Sequence, residues 1–377
     1  MVWIGFYNCM NLGITIFDRS THLVKHVKKS VVFVSAIFVA IIANFFQFSF
    51  LSDLYFRDSN LILSMIYNSN YNSNGEAFII TAHFFSFFYN VFHFKNLIEW
   101  NIFLAILLNP FILSYIYISK KQFSYADYFF YLATVFLLNI FVFTVAKEVL
   151  QFFMFFLLFL IVRFLHCKKF LKYFLIFLVI LLESIFFRNY FIIMLGLFLL
   201  LLLVSSFFKK NFVFSILVSI IILFIGIYIC KFIFPSQYDS IFFVREISSA
   251  YLNANTEINN LIPLNNSFLN FVLNYFINFL RLMFPLELIS KGIVQIFFTL
   301  YQIYLSISVF LIFLLIRKNR FNLKKEYYLF FLIFLSYLFC SAFFEPDFGS
   351  FVRHESSGCF VFMPLLYSQK ELINEKN

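Results

Sequence analysis

The sequence predicts an all-α protein that threads a membrane many times, and three observations carry that expectation. The chain of 377 residues is 63% hydrophobic and only 12% charged, where a soluble domain carries about 25% charge. Its mean hydropathy is +0.92. Apolar runs close to the roughly 20 residues that a helix needs to cross a bilayer recur from Val31 to Leu366. The net charge of +10 does not point to nucleic acid, because excess Lys and Arg in a membrane protein set its orientation. The 5 cysteines are scattered, with no CxxC and no Cys/His cluster, so neither a metal site nor a disulfide framework is expected.

In chain order, the apolar runs predict spans at Val31–Phe50, Leu97–Ile118, Tyr128–Val145, Val149–Leu165, Leu171–Phe187, Tyr190–Phe208, Phe212–Phe234, Ile293–Ile316, Tyr327–Phe344 and Phe351–Tyr367. The first reads as a signal anchor that is kept. Val2–Phe17 is a candidate for one more. Phe78–Val91 and Phe268–Phe284 are apolar but are read as interfacial or re-entrant. With those two outside the membrane, the clusters Lys25/Lys28/Lys29, Lys120/Lys121, Lys168/Lys169/Lys172, Lys209/Lys210 and Arg317/Lys318/Arg320/Lys324/Lys325 all fall on one side. The positive-inside rule makes that side cytoplasmic. The whole chain, 1–377, is then one integral membrane domain of about ten spans. Its two long loops, 51–96 and 235–292, both face outward.

The outward side is poor in lysine but holds five arginines: Arg57, Arg188, Arg245, Arg281 and Arg353. Arg188 ends a span, Arg281 lies inside an apolar segment and Arg353 sits on the entry turn of the last span. Charge at such depth costs about 2.5–3.5 kcal/mol on insertion scales and marks a site or a paired network. Snorkelling at a helix end is the alternative for Arg188. Asn270, Asn274, Asn278 and Arg281 step by four, four and three, which puts them on one helix face opposite Phe271, Phe276 and Phe279, with Glu287 just beyond. An interfacial helix without chemistry fits that stripe equally. Ala146, Lys147 and Glu148 read as a solvated outer turn between two spans. Glu183, about one turn inside a span, needs a partner, and an outer arginine is the expected one. The stretch EPDFGSFVRHE brings together Glu345, Asp347, Arg353 and His354. Arginine offers a planar fork for phosphate oxygens, and histidine exchanges a proton near neutral pH.

The segment FEPDFGSFVRHES, together with AKE at Ala146–Glu148, FFRNY at Phe186–Tyr190, NYFINFLRLMFPLEL at Asn274–Leu288 and SDLYFRDSN near residue 55, resembles the bacterial O-antigen polymerases, the Wzy-type and EpsG-like polymerases of surface polysaccharides. The resemblance implies a membrane glycosyltransferase C-like architecture in the bacterial inner membrane, with its active side periplasmic. It implies an enzyme that joins oligosaccharide repeat units carried on undecaprenyl diphosphate, without metal or other cofactor, alongside the lipid bilayer and a polysaccharide chain-length regulator as partners. On the matching positions, Arg188, Arg281 and Arg353 would hold the diphosphate. His354 would be the base, with Glu345 or Asp347 in reserve or orienting it. Lys147, Glu148, Glu183, Arg245, Asn278 and Glu287 are further candidates for the site. An O-antigen ligase would use the same arginines. A flippase for the lipid-linked unit would instead line a path across the whole membrane.

Overall fold

A computed structural model of the chain describes residues 26–51, 53–68, 75–119, 123–165, 168–208, 211–251, 256–319 and 324–367. The candidate span Val2–Phe17 and the polar run at 69–74 lie outside them. The described chain is almost entirely helical. Its helices are α1 (Lys29–Phe50), α2 (Arg57–Asn68), α3 (Glu76–Phe92), α4 (Leu97–Ile118), α5 (Tyr125–Leu137), α6 (Lys147–Phe164), α7 (Lys169–Phe186), α8 (Phe191–Phe207), α9 (Phe212–Ile233), α10 (Pro235–Phe242), α11 (Val244–Tyr251), α12 (Phe268–Met283), α13 (Ile293–Asn319), α14 (Lys325–Phe344), α15 (Phe348–Ser357) and α16 (Cys359–Tyr367). A π-helical turn, Leu138–Val142, extends α5. The only strands among the described residues, β1 (His26–Val27) and β2 (Phe123–Ser124), pair antiparallel and tie the start of α1 to the start of α5.

Among the described residues, six helical segments are long and apolar enough to cross a bilayer: Lys29–Ser49, Leu97–Ile118, Tyr125–Val142, Phe212–Ile233, Gln295–Arg317 and Lys325–Phe344. Their surfaces say what surrounds them. On α1, Val34, Phe38, Ile41 and Phe45 are each more than 60% exposed and recur at helical spacing, an apolar stripe that water would not tolerate and lipid would cover. Leu217, Ile221, Ile225 and Phe232 repeat the pattern on α9. The protein is an all-α, multi-pass membrane protein.

The core is built around α14. Its sequence is apolar on every face, and from Tyr327 to Phe343 nearly every residue is buried, as expected of a helix with neighbours all round. It packs against α8, α16, α12 and α6. Between α1, α4 and α5 the glue is polar: Asn139 Oδ1 accepts from Asn44 Nδ2 at 3.1 Å and from Asn109 Nδ2 at 2.8 Å. Interhelical hydrogen bonds of this kind are common where lipid supplies no hydrophobic drive between helices.

The predicted last span, Phe351–Tyr367, is two helices rather than one. Gly358 separates α15 from α16. A side chain there would meet Glu355 O at 3.2 Å and the Phe155 ring at 3.7 Å, so the break is packed closely against α6. This bend presents α15, with Arg353 and His354, to the start of α6.

Candidate active site

Five chain segments meet at one end of the bundle: the start of α2, the start of α6, the turn after α7, the end of α14 and the start of α15. Each holds its charge there for a local reason. Glu148 lies in the first turn of α6, where the helix dipole favours an anion. Asp347 caps α15, its Oδ1 accepting from the Ser350 amide at 2.8 Å and its Oδ2 from the Ser350 hydroxyl at 2.7 Å. That cap fixes the helix on which Arg353 and His354 ride. Arg245 performs the matching service at the end of α14: its guanidinium donates to the Glu345 and Ala342 carbonyls, both at 2.6 Å. A cation on the last carbonyls of a helix satisfies orphan acceptors and opposes the dipole.

Glu148 is the centre. Its Oε1 lies 2.9 Å from Arg188 Nη2, 3.1 Å from Arg353 Nη2 and 3.1 Å from His354 Nε2. The carboxylate is fully buried, not a solvated turn residue. Arg188 also donates to the Tyr190 hydroxyl at 2.6 Å, and Arg353 to Asp58 Oδ2 at 2.9 Å. His354 Nδ1 faces both Glu345 oxygens, at 2.8 and 3.0 Å. A carboxylate only accepts, so Nδ1 carries a hydrogen, and Arg188 Nη1, 3.2 Å from the same nitrogen, packs against the ring edge. The ring bridges both carboxylates when it carries two protons. When Nε2 is bare, its contact with Glu148 loses its hydrogen bond, and the nitrogen can accept a proton from elsewhere. The site thus combines two fixed guanidiniums with a histidine held by a carboxylate, which equips it to bind an anion and move a proton.

Burial pushes the Glu345 carboxyl up. His354, by charge and by hydrogen bond, outweighs that effect with help from Arg188 and Arg245, and Glu345 is held below its ordinary value. Burial pulls Arg245 down to about 10, with Glu345 working against the shift and Arg281 with it. Arg245 therefore stays charged at neutral pH.

Other residues expected in the site stand elsewhere. Arg281 is not in the cluster. It forms a two-pronged pair with Glu287, donating from Nε and Nη2 at 3.0 Å each, and it also donates to Asn259 O and Asn278 Oδ1. The rest of its stripe does similar work. Asn274 both donates to Ile262 O at 2.6 Å and accepts from the Ile262 amide at 3.0 Å, Asn270 donates to Pro263 O, and Asn278 to Asn260. The polar face of α12 buttons down the strap 259–263. The other end of that strap pairs with the entry to α15, Ile258 N donating to Pro346 O and Phe348 N to Thr256 O, both at 2.9 Å. Asp347 is spent on its cap. Glu183 is buried and neither oxygen has a hydrogen-bond partner among the described residues. The arginine expected to pair with it, Arg188, is occupied by Glu148 and Tyr190.

Asp58 and Tyr190 complete the cluster, and neither was singled out by sequence reasoning. The available signal was an acid in the first turn of α2 within SDLYFRDSN, and a tyrosine two residues after Arg188. Scans against models of protein families, the curated proteins and the solved structures each return no match for this chain.

Proposed function

We propose that this protein is a glycosyltransferase that polymerises undecaprenyl-diphosphate-linked oligosaccharide repeat units into O-antigen or capsular polysaccharide. It works on the periplasmic face of the bacterial inner membrane, in a bundle of about ten spans of glycosyltransferase C-like form, with the lipid bilayer holding the polyprenyl chain and a chain-length regulator as partner. The observation that carries the reading is the meeting of Arg188, Arg353 and His354 on the single carboxylate Glu148. In a membrane protein, so much converging charge is costly without a use.

In the reaction, the acceptor hydroxyl attacks the anomeric carbon of the donor sugar. The carbon–oxygen bond to the diphosphate breaks, and the leaving undecaprenyl diphosphate takes the electron pair. Arg188 and Arg353, aimed in advance at that growing charge, lower the barrier. Glu148 marks the place where the anion sits and yields it to the diphosphate. His354, oriented by Glu345 on Nδ1, takes the hydroxyl proton at Nε2. One displacement inverts the anomeric centre. Arg281 acts indirectly, by holding the strap that pairs with the entry to α15.

Polysaccharide profiling of a deletion strain complemented with variants tests this. Wild-type protein restores the ladder of long chains. His354→Ala and Arg188→Ala, expressed at normal levels, leave a single repeat unit on the lipid A core, with at least about 10²-fold less polymer. A core with no repeat unit at all would assign the protein to ligation or flipping of the unit. Full ladders from both variants would end the proposal.

A further inference from the structure

The cluster has one cation that nothing answers. Glu148 and Asp58 pair with Arg188 and Arg353, and Glu345 with His354. Lys147, the residue beside Glu148, makes no hydrogen bond or ion pair among the described residues. Its ammonium rests instead over the Phe78 ring of α3, 3.9 Å from the centroid, a cation–π contact that a stronger partner can replace. It is near enough to Arg188, Arg353, Glu148 and Asp58 to feel the charge of each.

Donors around it go unanswered too. The Nε atoms of Arg188 and Arg353 are buried with no partner among the described residues, as are Glu148 Oε2 and the two oxygens of the neighbouring Glu183. The start of α6 is uncapped. Ala146 at its N-cap has no side-chain acceptor, and the amides of Lys147 and Glu148 donate to nothing among the described residues. Free first-turn amides and the positive end of a helix favour an anion. A buried N–H without an acceptor is costly, so this many spare donors call for a ligand rich in oxygens.

We infer that Lys147 and the uncapped start of α6, together with Arg188 and Arg353, form the seat of a diphosphate, with Phe78 holding the ammonium ready until the ligand arrives. This deepens the glycosyltransferase reading and rests on it for the identity of the natural ligand. It gives the third cationic place to Lys147 rather than to Arg281, which is committed to Glu287. One phosphate fits the two guanidiniums and the other the ammonium and amides. A lone phosphate would leave part of the donor set unfilled.

The test is binding of inorganic pyrophosphate to the purified full chain in detergent, followed by titration calorimetry at two salt concentrations, with inorganic phosphate for comparison. Pyrophosphate is expected to bind more tightly than phosphate. Lys147→Gln should weaken pyrophosphate about 10- to 100-fold and flatten its salt dependence. Lys147→Arg should recover most of the loss, which a merely structural lysine would not require. Unchanged affinity in Lys147→Gln, or no recovery in Lys147→Arg, would overturn the assignment. Because pyrophosphate binding needs no sugar transfer, a chain that binds it in this pattern yet builds no polysaccharide would sink the polymerase reading alone.

Discussion

At the scale of single residues, Glu148 is the hub of the site. One carboxylate holds two guanidiniums and an imidazole in a buried space. Removing it as Glu148→Ala strands that positive charge, and the loss of one partner of a buried pair costs about 3–5 kcal/mol. A thermal or denaturant melt of the purified protein should show a loss of that size, whereas Lys147→Ala, which breaks no ion pair, should lie within about 1 kcal/mol of wild type. Glu345 makes a prediction about pH. Its carboxyl is held low when folded, so its contribution is complete above the ordinary glutamate value of about 4.3 and drains away as pH falls through the lowered folded value. Wild-type stability should fall with acid in that window, and Glu345→Gln should remove that part of the slope. Equal slopes for the two proteins would show that the His354 contact does not stabilise the carboxylate.

At the scale of elements, the helices were legible because lipid enforces apolar runs of a set length, and α14, apolar all round, reads as the centre of a bundle. What the sequence did not reveal is how short polar features are spent. The stripe Asn270, Asn274, Asn278, Arg281 was readable as one face of a helix, yet the residues it would meet lie in the irregular strap 259–263, whose path no periodicity reports. Lys147 and Glu148 read as a solvated turn, because nothing local says that α15 will bend at Gly358 and cover them. Arg188, Arg353, His354 and Glu345 were identifiable from chemistry alone: arginine and histidine against apolar helices need a reason. Asp58 was not, since its partner Arg353 is 295 residues away. The strap carries its own prediction. Asn274→Ala removes both bonds to Ile262 and should cost about 1–3 kcal/mol. Limited proteolysis should then cut at 259–263 faster than in wild type while the helix content by circular dichroism is unchanged.

At the scale of the whole molecule, the bundle separates its tasks. Apolar stripes on α1 and α9 face lipid, Asn139 and its partners bind helices in the interior, and titratable groups collect at the end where α6 and α15 begin. The alternating course of the helices brings these turns together although they are far apart in sequence. We propose that this end performs metal-independent sugar transfer. The most direct measurement supplies purified protein with undecaprenyl-diphosphate-linked repeat unit in the presence of a chelator and follows released undecaprenyl diphosphate and polymer length together. Wild type should make both in step, and folded His354→Ala and Arg353→Ala should slow both by about 10²–10⁴-fold. Release and elongation at the wild-type rate in those variants, or none from wild-type protein until metal is restored, would contradict it.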